Sequence, residues 1–436
     1  MKILNYSQNK NEIESIINRS TANFESALAR AGEIMGDVKN NGDLELFKYT
    51  KKYDNFNLNS GNLRVSEEEV AGAVKRIPQK LFFALKHAHG NITKYHEAQF
   101  KSINKNLKVE IDSGIEISEK ITAVESAGLY VPGGRAQYPS SVLMTAIPAN
   151  VAGVKRIVIT SPPEISDSIL AAAHLCGVFE IYRIGGVQAI AALSSGTETI
   201  KPVNKIVGPG NIYVMAAKML AYSMGIGIDM PAGPSEVLLI ADETSNPGFI
   251  AADVLAQAEH DPDAQCVVVL NICDRGEIEK IIKNIGEEIE NQIKNLNRKN
   301  IIESSLNNFA IILTKDISDA IEFTNNYAPE HLGIMCKNPG SVAKKIKNAG
   351  AIFIGNYAPV PAGDYASGGN HVLPTSGTAR FASGLSVRDF LKFSSVQEIT
   401  KQGLNKIKNS VEEIAEAEGL DAHKNSVKIR FEHKKK

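Results

Sequence analysis

Several features that would settle the class of this chain at once are missing from it. Its four cysteines (Cys176, Cys266, Cys273 and Cys336) stand far apart with no C-x-x-C pair. That spacing argues for reduced, mostly buried thiols in a cytoplasmic protein and against a cysteine-built zinc site. No window is apolar and long enough for a membrane span, and the opening MKILNYSQNKNEI lacks the apolar centre of a signal peptide. The formal net charge is −1 and no long basic block occurs, so a nucleic-acid footprint is not expected. The terminal FEHKKK reads as a frayed end. No G-x-G-x-x-G occurs either, which removes the standard dinucleotide fingerprint.

What remains is the profile of a soluble globular enzyme. The chain has 436 residues, 43% hydrophobic and 22% charged, enough for two or three domains. Its first hundred or so residues read mainly as helices with polar faces, Ile13–Ile17 and Glu67–Val74 among them. His87, His89 and His96 fall in HAHGNITKYH, where Gly90 and the lack of a nearby acid favour solvent-facing histidines over ligands. Lys108–Ile117 alternates around Asp-Ser-Gly and predicts a hairpin.

From Ser126 the pattern becomes a regular strand-helix alternation, which implies a parallel sheet covered on both faces. Strands are expected at 128–131, 156–160, 179–184 and 205–207. A second run follows GIDMPAGPS, with strands at 236–241, 266–272, 309–314, 332–336 and 351–355. The fold class expected is therefore α/β, with two doubly wound Rossmann-like modules, a duplication, between a helical N-terminal region and a helical C-terminal tail. The boundaries fall at 1–125, 126–232, 233–380 and 381–436. The tail, including VRDFLKF and Leu404–Ala417, is too poor in apolar residues for a core of its own. It must lie on a neighbour, either its own body or another subunit.

Four places carry candidate chemistry. Tyr130, Gln188 and Asn211 follow predicted strand ends, where an open α/β sheet binds ligands. The glycines beside them either admit a phosphate to a helix N-terminus or only make tight turns. Gln257 and His260 share the last turn of a predicted helix over 247–260, whose carbonyl end favours a cation. The Gly/Ser-rich AGDYASGGNHVLPT (Ala362–Thr375) holds Asp364 and His371 with almost no helix or strand propensity, as a segment does that folds around something else. On residue type alone, Gln257, His260, Asp364 and His371 make an N/O shell of the kind zinc accepts. APEHL sets Glu330 beside His331, two potential general bases. They precede a strand, so topology favours a solvated loop.

These stretches together resemble the histidinol dehydrogenase family. The resemblance runs from Ala123 to Asn425 and includes YVPGGRAQYPSSVLMTAIPA, VGPGNIYV, IDMPAGPSEVL, QAEHDPDAQ, APEHL, AGDYASGGNHVLPT, ASGLSVRDF and EGLDAHKNSV. It implies an aldehyde-dehydrogenase-like duplication and zinc held by Gln257, His260, Asp364 and His423, so the metal histidine comes from the tail and His371 becomes a substrate-side or structural residue. It implies Glu330 and His331 as bases, and Tyr130, Gln188 and Asn211 as NAD contacts. Ser235, His331, His371 and Glu418 become substrate contacts beside the metal ligands. Gly369 stands where relatives often have Thr or Pro. The activity implied is NAD-dependent four-electron oxidation of L-histidinol, through L-histidinal, to L-histidine, in a homodimer whose exchanged tails carry Glu418 and His423. The rivals are a relative oxidising another primary alcohol and a non-catalytic zinc-stabilised scaffold.

Overall fold

Short apolar runs leading into capped helices are the signature of strands buried on both faces, and the computed structural model forms them into two parallel sheets. The structure describes residues 1–19, 24–133, 137–230 and 233–432. Gly134 and Arg135 of the Pro-Gly-Gly-Arg turn, Pro231 and Ala232 of GIDMPAGPS, and the terminal HKKK lie outside these residues.

The chain starts with β1 (Lys2–Asn5) and five helices, Lys10–Ile17, Phe24–Asn41, Asp43–Asp54, Glu67–Arg76 and Gln79–Lys101. The expected hairpin follows as β2 (Lys108–Asp112) and β3 (Ile115–Ala123). The first module contains β4 (Ser126–Tyr130), β5 (Arg156–Ser161), β6 (Glu180–Arg183), β7 (Lys205–Val207) and β8 (Gly227–Ile228). The second contains β9 (Glu236–Ala241), β10 (Gln265–Asn271), β11 (Ala310–Thr314), β12 (His331–Met335) and β13 (Ala351–Ile354). The chain ends with β14 (Leu391–Ile399) and the helices Lys401–Ala417 and Asp421–Lys428.

The sheet orders are β6-β5-β4-β7-β8 and β1-β11-β10-β9-β12-β13, every pair parallel. The first ninety-odd residues are not a separate helical region. β1 extends the second sheet beside β11, and Phe24–Asn41 packs on the helices Gly186–Ser195 and Ile212–Ser223 of the first module. Residues 1–98 and 124–390 form one compact unit.

Residues 99–123 and the chain from Leu391 form a second unit. Here LKF is not helical, as its sequence suggested, but opens β14, which pairs antiparallel with β3 over nine positions from Leu391↔Ala123 to Ile399↔Ile115. The tail thus begins on its own hairpin. Gly114, at φ +85°, takes the N–H of Thr400 on its carbonyl at 2.9 Å. The helix Lys401–Ala417 buries little, and Ile414, Leu420 and Ile429 are exposed in this unit.

Candidate active site

The Glu330–His331 pair is buried, each residue 5% exposed, which overturns the reading as a solvated loop. Helix Ile317–Tyr327 ends on Ala328 in the left-handed region, φ 52°, and Pro329 then redirects the chain straight into β12. The His331 Nδ1–H donates to the Glu236 carbonyl at 3.0 Å, and the Glu236 N–H donates to Glu330 Oε2 at 2.7 Å. One residue at the start of β9, Glu236, therefore holds both side chains through the peptide groups on its two sides. His331 Nε2 has no aligned hydrogen-bond partner and lies 3.4 Å from Asp364 Oδ1. Burial opposes charge on His331, but Glu330 and Asp364 outweigh it and hold the ring well above its ordinary value.

The strand-end rule misses this pair because the second sheet presents its N-terminal edge to the C-terminal edge of the first. A cavity of about 90 Å³ between them is lined by Gly208, Gly210, Ser235, Glu330, His371 and Thr375, among others. Ser235 therefore reaches the site. A larger depression, about 210 Å³, lies at the starts of β5 and β6 around Arg156 and Glu180, and none of the expected site residues is near it.

Asp364 is not in a loop. It occupies the short helix Val360–Tyr365, is 8% exposed, and accepts no strand pairing. Burial raises its pKa, yet His331, then His371 and His260, outweigh that and hold it below the usual carboxylate range. His371 donates from Nδ1 to the Asp364 carbonyl at 3.0 Å, and its Nε2 lies 3.4 Å from Ser141 Oγ on the first module. Burial lowers the His371 pKa, with Asp364 opposing. Asn370 donates to the Met144 carbonyl at 2.7 Å. Gly368, at φ +108°, has no room for a Cβ, which would sit 2.9 Å from the Asn91 carbonyl. The glycine-rich segment therefore folds around the helix Gln79–Lys101 and the first module. That helix runs through Gly90, leaving His87 exposed and His89 half-buried. His96 is fully buried rather than solvent-facing.

Asn246 caps the helix Pro247–Ala258, its side chain accepting the Gly248 N–H at 2.8 Å. The helix stops two residues before His260, which sits in the next turn with its N–H on the Gln257 carbonyl at 3.2 Å. Gln257 is 3% exposed and its Nε2 is unpartnered among the described residues. On the first module, the Tyr130 hydroxyl accepts the Gly186 N–H at 3.0 Å, and burial pushes its pKa up to about 12. Gln188 Nε2 lies 3.4 Å from Asp54 Oδ2. Asn211 caps Ile212–Ser223, its Oδ1 accepting from Tyr213 and Val214 at 3.1 Å each. A Cβ on Gly208, φ +123°, would lie 2.1 Å from the Tyr130 carbonyl oxygen, so only glycine lets this loop meet β4.

The model of the histidinol dehydrogenase family matches residues 17–431 of this chain. The chain belongs to that family. A relative named histidinol dehydrogenase from Methanococcus maripaludis is 50% identical over 427 residues, covering 97% of this chain and 98% of its own. Another of that name, from Methanocaldococcus jannaschii, is 49% identical over 426 residues, covering 97% and 96%. A solved histidinol dehydrogenase from Elizabethkingia anophelis superposes with a TM-score of 0.91 at 40% identity, covering 99% of this chain and 98% of that one.

Within the family frame, the first unit brings together Glu330, His331, Asp364, His371 and Ser235, with His260 in electrostatic reach of Asp364. Glu418, capping Lys401–Ala417, and His423, on Asp421–Lys428, are exposed residues of the second unit. Among the described residues no group of three His, Cys, Asp or Glu side chains is set to hold a metal ion. Gly369 meets nothing within 4 Å of a built Cβ, so a side chain there has space. Sequence reasoning missed Arg19, Glu236 and Asp54, which support the site through partners distant in sequence. It also missed Asp253, whose only signal is its place one helical turn before Gln257. Among the described residues no helix is long and apolar enough to cross a membrane.

Proposed function

We propose that this chain catalyses the NAD-dependent four-electron oxidation of L-histidinol, through L-histidinal, to L-histidine, with a zinc ion at Gln257, His260, Asp364 and His423 of the partner subunit. The observation that carries the reading is the buried Glu330–His331 pair. One ring nitrogen of His331 is committed to the Glu236 carbonyl and the other faces Asp364 Oδ1 at 3.4 Å without an aligned hydrogen bond.

The donor set fits zinc, being an amide, two imidazoles and one carboxylate. Asp364 is buried and held ionised below the usual carboxylate range, which suits a dication. When bound, zinc supplies a Lewis-acid anchor for substrate nitrogens, and NAD accepts hydride. Glu330 and Asp364 favour the charged ring, so His331 must first give up that proton; its Nε2 then takes the hydroxyl proton during the alcohol oxidation. Glu330 then takes a proton from water as its oxygen adds to the aldehyde, and His331 takes the hydroxyl proton of the hydrate in the second oxidation. Tyr130, Gln188 and Asn211 hold the nucleotide along the first sheet, where Gly208 permits close backbone approach. The exposed apolar residues of the tail support a homodimer in which Glu418 and His423 serve the partner's site.

An absorbance assay with L-histidinol tests the reading. It expects two NADH per substrate and zinc in the purified protein. A faster reaction with simple diols would point to another primary alcohol, and tight zinc with no NADH would overturn the enzyme.

A further inference from the structure

One turn before Gln257, on the same face of the helix Pro247–Ala258, stands Asp253. Both side chains are buried, Asp253 at 5% and Gln257 at 3% exposure. Each ends in an unpartnered atom among the described residues, an acceptor at Asp253 Oδ2 and a donor at Gln257 Nε2. A buried donor and a buried acceptor left unmade each carry a desolvation cost that a mutual bond would remove. Residues four apart on a helix are neighbours, and a glutamine–aspartate hydrogen bond is one of the pairs that spacing supports. Asp364 and His331 are the other charged groups whose fields reach Asp253.

Resting on the zinc site proposed above, we infer that Asp253 is the positioning residue for Gln257. With zinc bound, its Oδ2 would accept a hydrogen bond from Gln257 Nε2–H₂, one the two unpartnered atoms do not make in this structure, and so commit the amide oxygen to the metal. A glutamine amide is a weak ligand with two nearly isosteric ends, and the wrong end repels a cation. A carboxylate on the NH₂ group removes that ambiguity and adds electron density to the oxygen, as outer partners do for ligating histidines. No proton moves and no bond breaks in this role.

The test is zinc affinity, measured by chelator competition on the full chain carrying Asp253→Ala, Asp253→Asn, Gln257→Ala and the Asp253→Ala/Gln257→Ala pair. Metal-free melting checks that each folds. Asp253→Ala is expected to weaken zinc binding about 10- to 100-fold. Asp253→Asn, which keeps an acceptor oxygen, loses less and carries the comparison if the alanine variant does not fold. In the Gln257→Ala background, removing Asp253 changes affinity within about twofold, as expected of a residue acting only through Gln257. Undiminished affinity in both Asp253 variants, with Gln257→Ala weakened, overturns this inference and leaves the zinc site standing. An Asp253 effect as large in the Gln257→Ala background as alone assigns it to His331 or Asp364 instead. Unchanged affinity in Gln257→Ala overturns the zinc site itself.

Discussion

His331 Nδ1–H points at the Glu236 carbonyl oxygen, 3.0 Å away, and this bond decides which face of the imidazole is available for chemistry. It follows from sheet register, because β9 and β12 pair with Val237 opposite His331. The N–H of the same residue holds Glu330, so both side chains are fixed by backbone rather than by rotamer choice.

Behind that backbone, the Glu236 side chain takes Arg19 Nε at 2.5 Å and Nη2 at 2.7 Å, while the guanidinium lies 3.5 Å from the Tyr327 ring centre. The two side chains are 5% and 2% exposed. Burial pushes the Glu236 pKa up, and Arg19 only partly offsets it. Arg19→Ala leaves a buried carboxylate unpaired and should lower unfolding free energy by about 3–5 kcal/mol in urea titrations. Combining it with Glu236→Gln should recover part of that loss. A loss within error of zero would mean that the pair contributes nothing.

For His331 the expected signature is kinetic. Replacement with Asn should reduce NADH formation by about 10²- to 10⁴-fold, the range of a general base, with zinc content unchanged. Zinc that departs with the substitution would make His331 a structural neighbour of Asp364, from which it is 3.4 Å away.

Gly208 is tested by a single methyl group. An alanine there must take up φ +123° and place its Cβ 2.1 Å from the Tyr130 carbonyl oxygen. The loop is also tied down, with Lys218 Nζ donating to the Gly208 carbonyl at 3.0 Å and the Gly208 N–H donating to Asp229 at 2.7 Å. Backbone strain alone costs about 1–3 kcal/mol, and the clash adds to it. A fall in melting temperature with a raised KM for NAD is expected. A Gly208→Ala protein with wild-type melting would show that the loop can move away from β4.

Parallel strands were legible because they are apolar runs between capping and turn residues, as at Glu236–Ala241 and Gln265–Asn271. β1 and β14 were not, because KILN and LKFSSVQEI are edge strands whose exposed faces carry no period a sequence can announce. APEHL was misread for a different reason. Its burial comes from the left-handed turn at Ala328 and from β9, neither visible in the five residues themselves. The motif around Asp364 marked the right segment, but its short helix and its seat on Asn91 and Met144 are tertiary facts. Asp253 could be read as helical and apolar-faced, yet its unpaired oxygen needed coordinates.

His96 supplies a pH test away from the chemistry. The ring is fully buried, donates from Nδ1 to the Ile92 carbonyl at 2.8 Å, and receives the Asn370 amide at 3.5 Å on Nε2, so it is neutral in the fold. Burial lowers its pKa below the ordinary value of about 6.5, with the Ile92 bond opposing. Below that value the unfolded chain takes up a proton that the folded chain refuses, so stability falls as pH falls and is fully present above it. The slope from this one group cannot exceed about 1.4 kcal/mol per pH unit. His89 and His371 are lowered in the same way and add to the wild-type slope, so the comparison must be with His96→Gln. Urea titrations between about pH 5 and 6.5 should give a shallower dependence in that variant than in the parent. Parallel lines across that interval would mean that His96 accepts its proton in the folded state as readily as in the unfolded one.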